Sequence, residues 1–205
     1  MYKIQFGDFN SLMGNIIMDE ETTLEVLLSN EFGENVPKEF QSITPEEWAK
    51  YAFDNNKEYV VTYYKEDKPY ITVYNTLLSI RLTYYEDRGG ELYRYLSIWF
   101  NKGYIDNKLK GELFIPYDKG KIFLGQIDNK SDFSSMLIFY SQKKKNNVFL
   151  EEFLEEDGQT KLIEQYGTAD LSKNWFDAPM HYLDYEYLLD YKKLFEDLPE
   201  KPKRD

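Results

Sequence analysis

Between residues 78 and 100, apolar side chains recur at nearly every second position on both sides of a charged break, Glu86-Asp87-Arg88-Gly89-Gly90. Before the break Leu78, Ile80, Leu82 and Tyr84 alternate with Ser79, Arg81, Thr83 and Tyr85. After it Leu92, Leu96, Ile98 and Phe100 alternate with Tyr93, Tyr95, Ser97 and Trp99. A period of two belongs to a strand, whose successive side chains leave on opposite faces, and a glycine pair between two such runs reads as a hairpin. The same grammar predicts strands at 59–64 and 70–74 around the turn Lys65-Glu66-Asp67-Lys68-Pro69, and further strands at 113–117, 122–126 and 136–141. Tyr2, Ile4 and Phe6 read as a short first strand. Short strands joined by short turns imply an antiparallel meander.

Helical spacing frames this sheet. Leu24, Leu27, Leu28 and Phe32 predict a helix over 22–32 that Gly33 can stop. Thr44-Pro45-Glu46-Glu47 supplies a capping Thr, a Pro at the first helical position and a Glu three residues after the cap, with Trp48, Tyr51 and Ala52 on one face. Late in the chain Phe149-Leu150 with Phe153-Leu154, then Leu162-Ile163 with Tyr166, read as apolar helical stripes. Residues 182–198 form the longest candidate helix, with Leu188, Leu189, Tyr191, Phe195 and Leu198 on its buried side. The expectation is one α+β domain over 1–198, a central antiparallel meander with N-terminal and C-terminal helices packed on it, and a charged tail at 199–205.

Composition narrows the function classes. The 37 acidic against 25 basic side chains leave a net charge of −12, which repels phosphate backbones and favours a basic partner. Direct nucleic-acid binding is therefore not expected, and Lys143-Lys144-Lys145 before Asn146-Asn147 reads as a solvated hairpin turn. Mean hydropathy is low at −0.65, yet 19 Tyr and 14 Phe carry enough apolar area for a folded chain. The chain has no cysteine, which removes thiol catalysis, disulfides and Cys-ligated zinc. His181 is the single histidine, beside no nucleophile that the sequence can place. No cofactor, metal or membrane segment is expected, and the cytoplasm is the simplest location.

Carboxylate chemistry has no distinctive signature here. Glu66-Asp67-Lys68 fits the Glu-x-Lys of metal-dependent nucleases but sits at a hairpin tip, too loose for a site that needs rigid support. Asp118 and the Asp184-x-Glu186 pair are equally unspecific. Two features remain. One is clustered acid: Glu151, Glu152, Glu155, Glu156 and Asp157, then Asp184, Glu186 and Asp190 interleaved with Tyr182, Tyr185 and Tyr187. Helical spacing would set Glu186 and Asp190 on one face, where like charges cost a few tenths of a kcal/mol. The other is the aromatic face Tyr93, Tyr95 and Trp99, beside Arg81 and Tyr85, of the residue types enriched at binding hot spots. The competing accounts are a solvated helix face for the acids and plain core for the aromatics.

In general character, and in stretches such as Tyr93-Arg94-Tyr95-Leu96-Ser97-Ile98-Trp99-Phe100 and Lys161-Leu162-Ile163-Glu164-Gln165-Tyr166-Gly167, the chain resembles bacterial toxin-immunity proteins of polymorphic or type VII-secreted toxin systems. The resemblance implies a non-enzymatic inhibitor that blocks the active site of a cognate toxin with a basic surface. Partner-facing residues would then be Asp184, Glu186, Asp190, Tyr185, Tyr93, Tyr95 and Trp99. Some such families are membrane-anchored and face outward, so an anchored form is the alternative to the cytoplasm. The competing functions are a phage anti-defence protein whose acids mimic nucleic acid, a carboxylate-only hydrolase and a carbohydrate-binding module.

Overall fold

The computed structural model describes residues 2–10, 16–106, 111, 113–117, 120–131, 134–141, 147–156, 159–168 and 171–196. The turn at 143–146, Asp118, Asp157 and the tail 199–205 lie outside the described residues. The fold is α+β and dominated by antiparallel strands. No helix among the described residues is long and apolar enough to cross a membrane. The chain gathers into two compact units, residues 1–94 with 179–184, and residues 95–178 with 185–205.

In the first unit β1 (Lys3–Gln5), a small β2 (Phe9–Asn10) and β3 (Ile16–Ile17) pair, α1 (Glu20–Phe32) and α2 (Pro45–Asp54) precede the sheet strands β4 (Tyr59–Lys65), β5 (Lys68–Asn75) and β6 (Ser79–Arg88). β1 pairs with β4, β4 with β5 and β5 with β6, all antiparallel. Register gives the sheet two unlike faces. Val61, Val73 and Leu82 form a row across β4, β5 and β6, and all three are fully buried. One residue along, Thr62, Thr72 and Thr83 form a parallel row on the opposite face, and these are buried as well. The apolar face also carries Tyr59 and Tyr63, whose hydroxyls donate to the carbonyls of Tyr182 and Leu183 at 3.4 and 3.3 Å.

Local chemistry sets the ends of these elements, at Gly33 and Thr44–Glu47 as the sequence predicts, and at Asp19, which starts the first helix at Glu20, two residues ahead of the expected start. Asp19 caps α1 by accepting from Thr22 N at 2.7 Å, and Gly33 closes the helix at φ 64°. At α2 both halves of the capping box form: Glu47 N donates to Thr44 Oγ1, and Thr44 N donates to Glu47 Oε2. Trp48, Ala49 and Ala52 are its buried residues, and the Trp48 indole donates to the Glu58 carbonyl at 3.1 Å. Glu66 and Asp67 make the β4–β5 turn with φ 52° and 59°, as a two-residue turn matching strand twist requires. Between β6 and the next strand, Asp87 Oδ1 accepts from Gly90 N at 2.7 Å.

The second unit is built on β7 (Glu91–Asn101), β8 (Gly103–Asp106), β9 (Leu113–Pro116), β10 (Lys121–Ser131), β11 (Ser134–Ser141), β12 (Asn147–Glu156), β13 (Gln159–Thr168), β14 (Trp175–Asp177) and the short α3 (Tyr191–Glu196). β10 pairs β7, β11 and β14, and β11, β12 and β13 follow as antiparallel neighbours. β8 and β9 form a separate hairpin in which Gly103 is obligatory: a Cβ there would stand 2.1 Å from the Ile115 carbonyl oxygen. Leu96, Ile98, Phe100, Ile122, Phe123 and Leu124 are buried, as are Tyr185, Leu188 and Leu189.

Two helical expectations are corrected. The stripes at 149–154 and 162–166 are strands, β12 and β13, locked by continuous pairing from Asn147↔Thr168 to Glu156↔Gln159. Apolar pairs four residues apart fit a helix, but they also fit a strand once a neighbour is present to pair with, and β11 supplies it. Among the described residues of 182–198 no long helix forms. Asp184 turns its carboxylate back to Met180 N at 2.8 Å, residues 186–188 make a single 3₁₀ turn, and α3 starts only at Tyr191.

Candidate binding surface

The residues singled out from sequence differ in exposure, and β7 keeps Tyr93, Tyr95 and Trp99 at alternate positions of one strand. Tyr185 is fully buried, a core residue. Glu186 and Asp190 are exposed, but the helix that would stack them is replaced by the 3₁₀ turn; Asp190 precedes α3 and lies 3.8 Å from Lys193. Asp184 caps its own turn. Tyr95 is half-buried and meets Tyr191 edge to face at 5.7 Å, and Trp99 is half-buried opposite Gln126. Tyr93 is the exposed member of the aromatic set, at 41%. Its hydroxyl donates to Glu91, and the Arg88 guanidinium lies 5.5 Å from its ring centre. Arg88 pairs with Glu86, and Asp87 with Lys68, so the end of β6 that precedes the turn into β7 carries two ion pairs.

A second surface of the first unit was not visible in the sequence. A groove of about 450 Å³ is lined by Leu27, Asn30 and Glu31 of α1, Trp48 of α2, Asn56, Lys57 and Glu58 after α2, and Leu77 of the β5–β6 turn. Its floor follows from a helix stop. Asn56 takes a left-handed φ of 53°, Lys57 N donates to the Ala52 carbonyl at 2.7 Å, and Asn56 N to Phe53 at 3.4 Å, the bonds of a Schellman closure with Asn in place of Gly. That closure aims Lys57 at Glu31 of α1, 2.5 Å away, and the pair lifts the lysine above its ordinary range. The opposite wall is set by Thr76, whose hydroxyl accepts from Leu78 N and Ser79 N at 3.2 and 3.1 Å. This side-chain turn presents Leu77 and Leu78 at 46% and 41% exposure, where a hairpin tip ordinarily carries polar residues.

The third feature is a polar interior on the threonine face. Thr62 Oγ1 donates to the Gly7 carbonyl at 2.6 Å and lies 2.9 Å from Thr72 Oγ1. Tyr85 hydrogen-bonds Thr72, and burial pushes its hydroxyl well above the ordinary phenol range. Asp8, held by its N–H to Thr23 Oγ1 at 3.1 Å, has a carboxyl raised to about 6 by desolvation, against which the nearby Arg81 charge works. Arg81 itself stacks on Tyr74, 4.3 Å to the ring centre. Its Nε and Asp8 Oδ1 are buried with no hydrogen-bond partner among the described residues. The sequence did point to Arg81 and Tyr85 through strand alternation; Asp8, 73 positions upstream of Arg81 (81 less 8), carried no signal.

A hollow of about 360 Å³ beside α1 includes Asp19, Glu20 and Asp67, but Asp19 caps α1 and Glu20 Oε1 accepts from Phe6 N at 2.7 Å. Among the described residues no group of three or more His, Asp or Glu is placed to hold a metal ion. No family model matches this chain, and neither a curated protein nor a solved structure matches it.

Proposed function

We propose that this chain is a stoichiometric protein-binding inhibitor of the toxin-immunity kind, docking on the catalytic domain of a cognate toxin and blocking its active site. The observation that carries this reading is Tyr93, an exposed ring fixed by Arg88 and Glu91 on a chain of net charge −12. An aromatic anchor whose rotamer is already held loses little entropy on binding, and an acidic chain steers a basic partner into encounter. The test is capture by tagged protein from the host lysate and secreted fraction at low and moderate salt. One stoichiometric partner with a basic toxin domain, inhibited at equimolar ratio and bound less tightly by Tyr93→Ala, supports the reading. Recovery of several unrelated nucleases shifts it to nucleic-acid mimicry, and no partner at either salt overturns both.

A second reading, carboxylate-based hydrolysis, draws on Asp8 alone. A half-buried carboxyl that titrates near 6 beside Arg81 and Tyr85 has the acidity of a general acid working near neutral pH. Turnover of any substrate in a hydrolase panel, abolished by Asp8→Asn in a folded variant, would favour it; equal rates for both proteins would dismiss it.

A further inference from the structure

From the groove between α1 and the β5–β6 turn, resting on the binding reading above, we infer that this is a docking face for a basic protein segment that inserts an apolar anchor between Leu27 and Leu77. Three observations converge on that occupant.

The first is apolar exposure without structural return. Leu77 is 46% exposed at the tip of a three-residue turn, and it lines the groove together with the half-buried Leu27 of α1. Of the thirteen residues of α1 only Thr23 and Leu28 are fully buried, and Leu24, Leu27 and Phe32 are half-buried. A single exposed leucine on a flat surface is ordinary, whereas one that shares a groove with a second leucine offers a seat for an apolar side chain.

The second is preorganisation. The Thr76 hydroxyl fixes the leucine turn, and the Schellman closure at Asn56 with the Lys57–Glu31 ion pair fixes the opposite rim. Side chains already held in place lose less freedom when a partner arrives.

The third is charge. The lining has two carboxylates, Glu31 and Glu58, against one ammonium, Lys57, which Glu31 engages. Further along α1 Glu25 is another exposed carboxylate, and the helix contains no basic residue. An acidic segment would meet repulsion here and a neutral one would gain no charge attraction, while lysines or arginines flanking an apolar residue would meet complementary charge. A basic amphipathic helix, with apolar anchors on one face and lysines on the other, has that chemistry.

The experiment uses the full chain and two synthetic amphipathic peptides, one of leucine and lysine, the other of leucine and glutamate. Binding is read by amide chemical-shift changes at ~50 and ~300 mM salt. The expected result is that the Leu/Lys peptide shifts residues 26–31, 56–58 and 76–78, that Leu77→Asp weakens it roughly tenfold or more, and that added salt weakens it further. Leu77 is exposed, so the variant should fold, which its amide spectrum checks; Leu27→Glu, at the half-buried leucine on the α1 side of the groove, provides an independent second disruption with the same check. Shifts centred elsewhere, equal binding of the Leu/Glu peptide, or indifference to both variants would overturn the placement. Leu77→Asp is then run in the capture experiment. A partner retained in full by this variant overturns the groove while leaving the binding function intact, whereas absence of any partner for the unmutated chain overturns the function itself.

Discussion

Asp8 and Arg81 share one buried polar interior of the first unit, and each keeps an atom there, Oδ1 and Nε, without a hydrogen-bond partner among the described residues. Opposite charges close to one another would ordinarily lower the acid's pKa, yet the Asp8 carboxyl is raised to about 6, so desolvation outweighs the arginine.

That balance makes stability depend on pH. The folded state holds the Asp8 proton more tightly than the unfolded state, whose value is near 3.8. The stability associated with this proton is therefore fully present below about pH 4 and is lost as pH rises through about 6. A rise of that size corresponds to on the order of 2–3 kcal/mol. Asp8→Asn should accordingly be more stable than the unmutated chain at pH 7.5 by ~1–3 kcal/mol, with the difference shrinking toward zero at pH 4. Urea midpoints at the two pH values measure it; a variant less stable at pH 7.5, or a gap independent of pH, would refute the desolvation account.

Tyr185 and Tyr93 should separate core from surface. Truncating fully buried Tyr185 to Ala should cost about 3–5 kcal/mol, as for other large buried rings. Tyr93→Ala removes an exposed ring and should change stability by no more than ~0.5 kcal/mol while lowering partner affinity. Thermal unfolding of the two variants, compared side by side, decides whether the burial assignments hold.

The left-handed backbone at Asn56 predicts an order of stability rather than a single value. Asn56→Gly should be neutral to slightly stabilising, and Asn56→Ala should lose ~1 kcal/mol, because a Cβ disfavours this region and Ala lacks the Asn side chain's local compensation. If chemical denaturation ranks Ala above Gly, the Schellman closure is not what ends α2.

At Gly103 the neighbour is backbone, the Ile115 carbonyl and Pro116 Cα, and neither can move aside as a flexible side chain would. Gly103→Ala should open the β8–β9 pair. Amide exchange at residues 103–106 and 113–116 should rise well above that of β4 and β5, and unchanged protection there would contradict the register Gly103↔Pro116.

What the chain's own sequence determined is what short-range chemistry controls. Thr44 and Glu47 cap α2 because both partners lie within one helical turn. Residues 79–101 are strands because alternation and the Asp87–Gly90 turn agree, and Gly33 ends α1 because it tolerates positive φ. Tertiary structure decided the rest. Residues 147–168 have apolar spacing that suits either element, and they are strands because β11 offers a ladder that a helix could not use. Leu77 meets the groove only because a sheet turn and two helix ends arrive at the same place. Asp8 owes its raised pKa to burial beside Arg81 and Tyr85, both more than fifty positions away in sequence, with the arginine charge working against the rise. Caps and turns are written in neighbouring residues, whereas desolvation and pairing exist only once distant strands have enclosed the groups they act on.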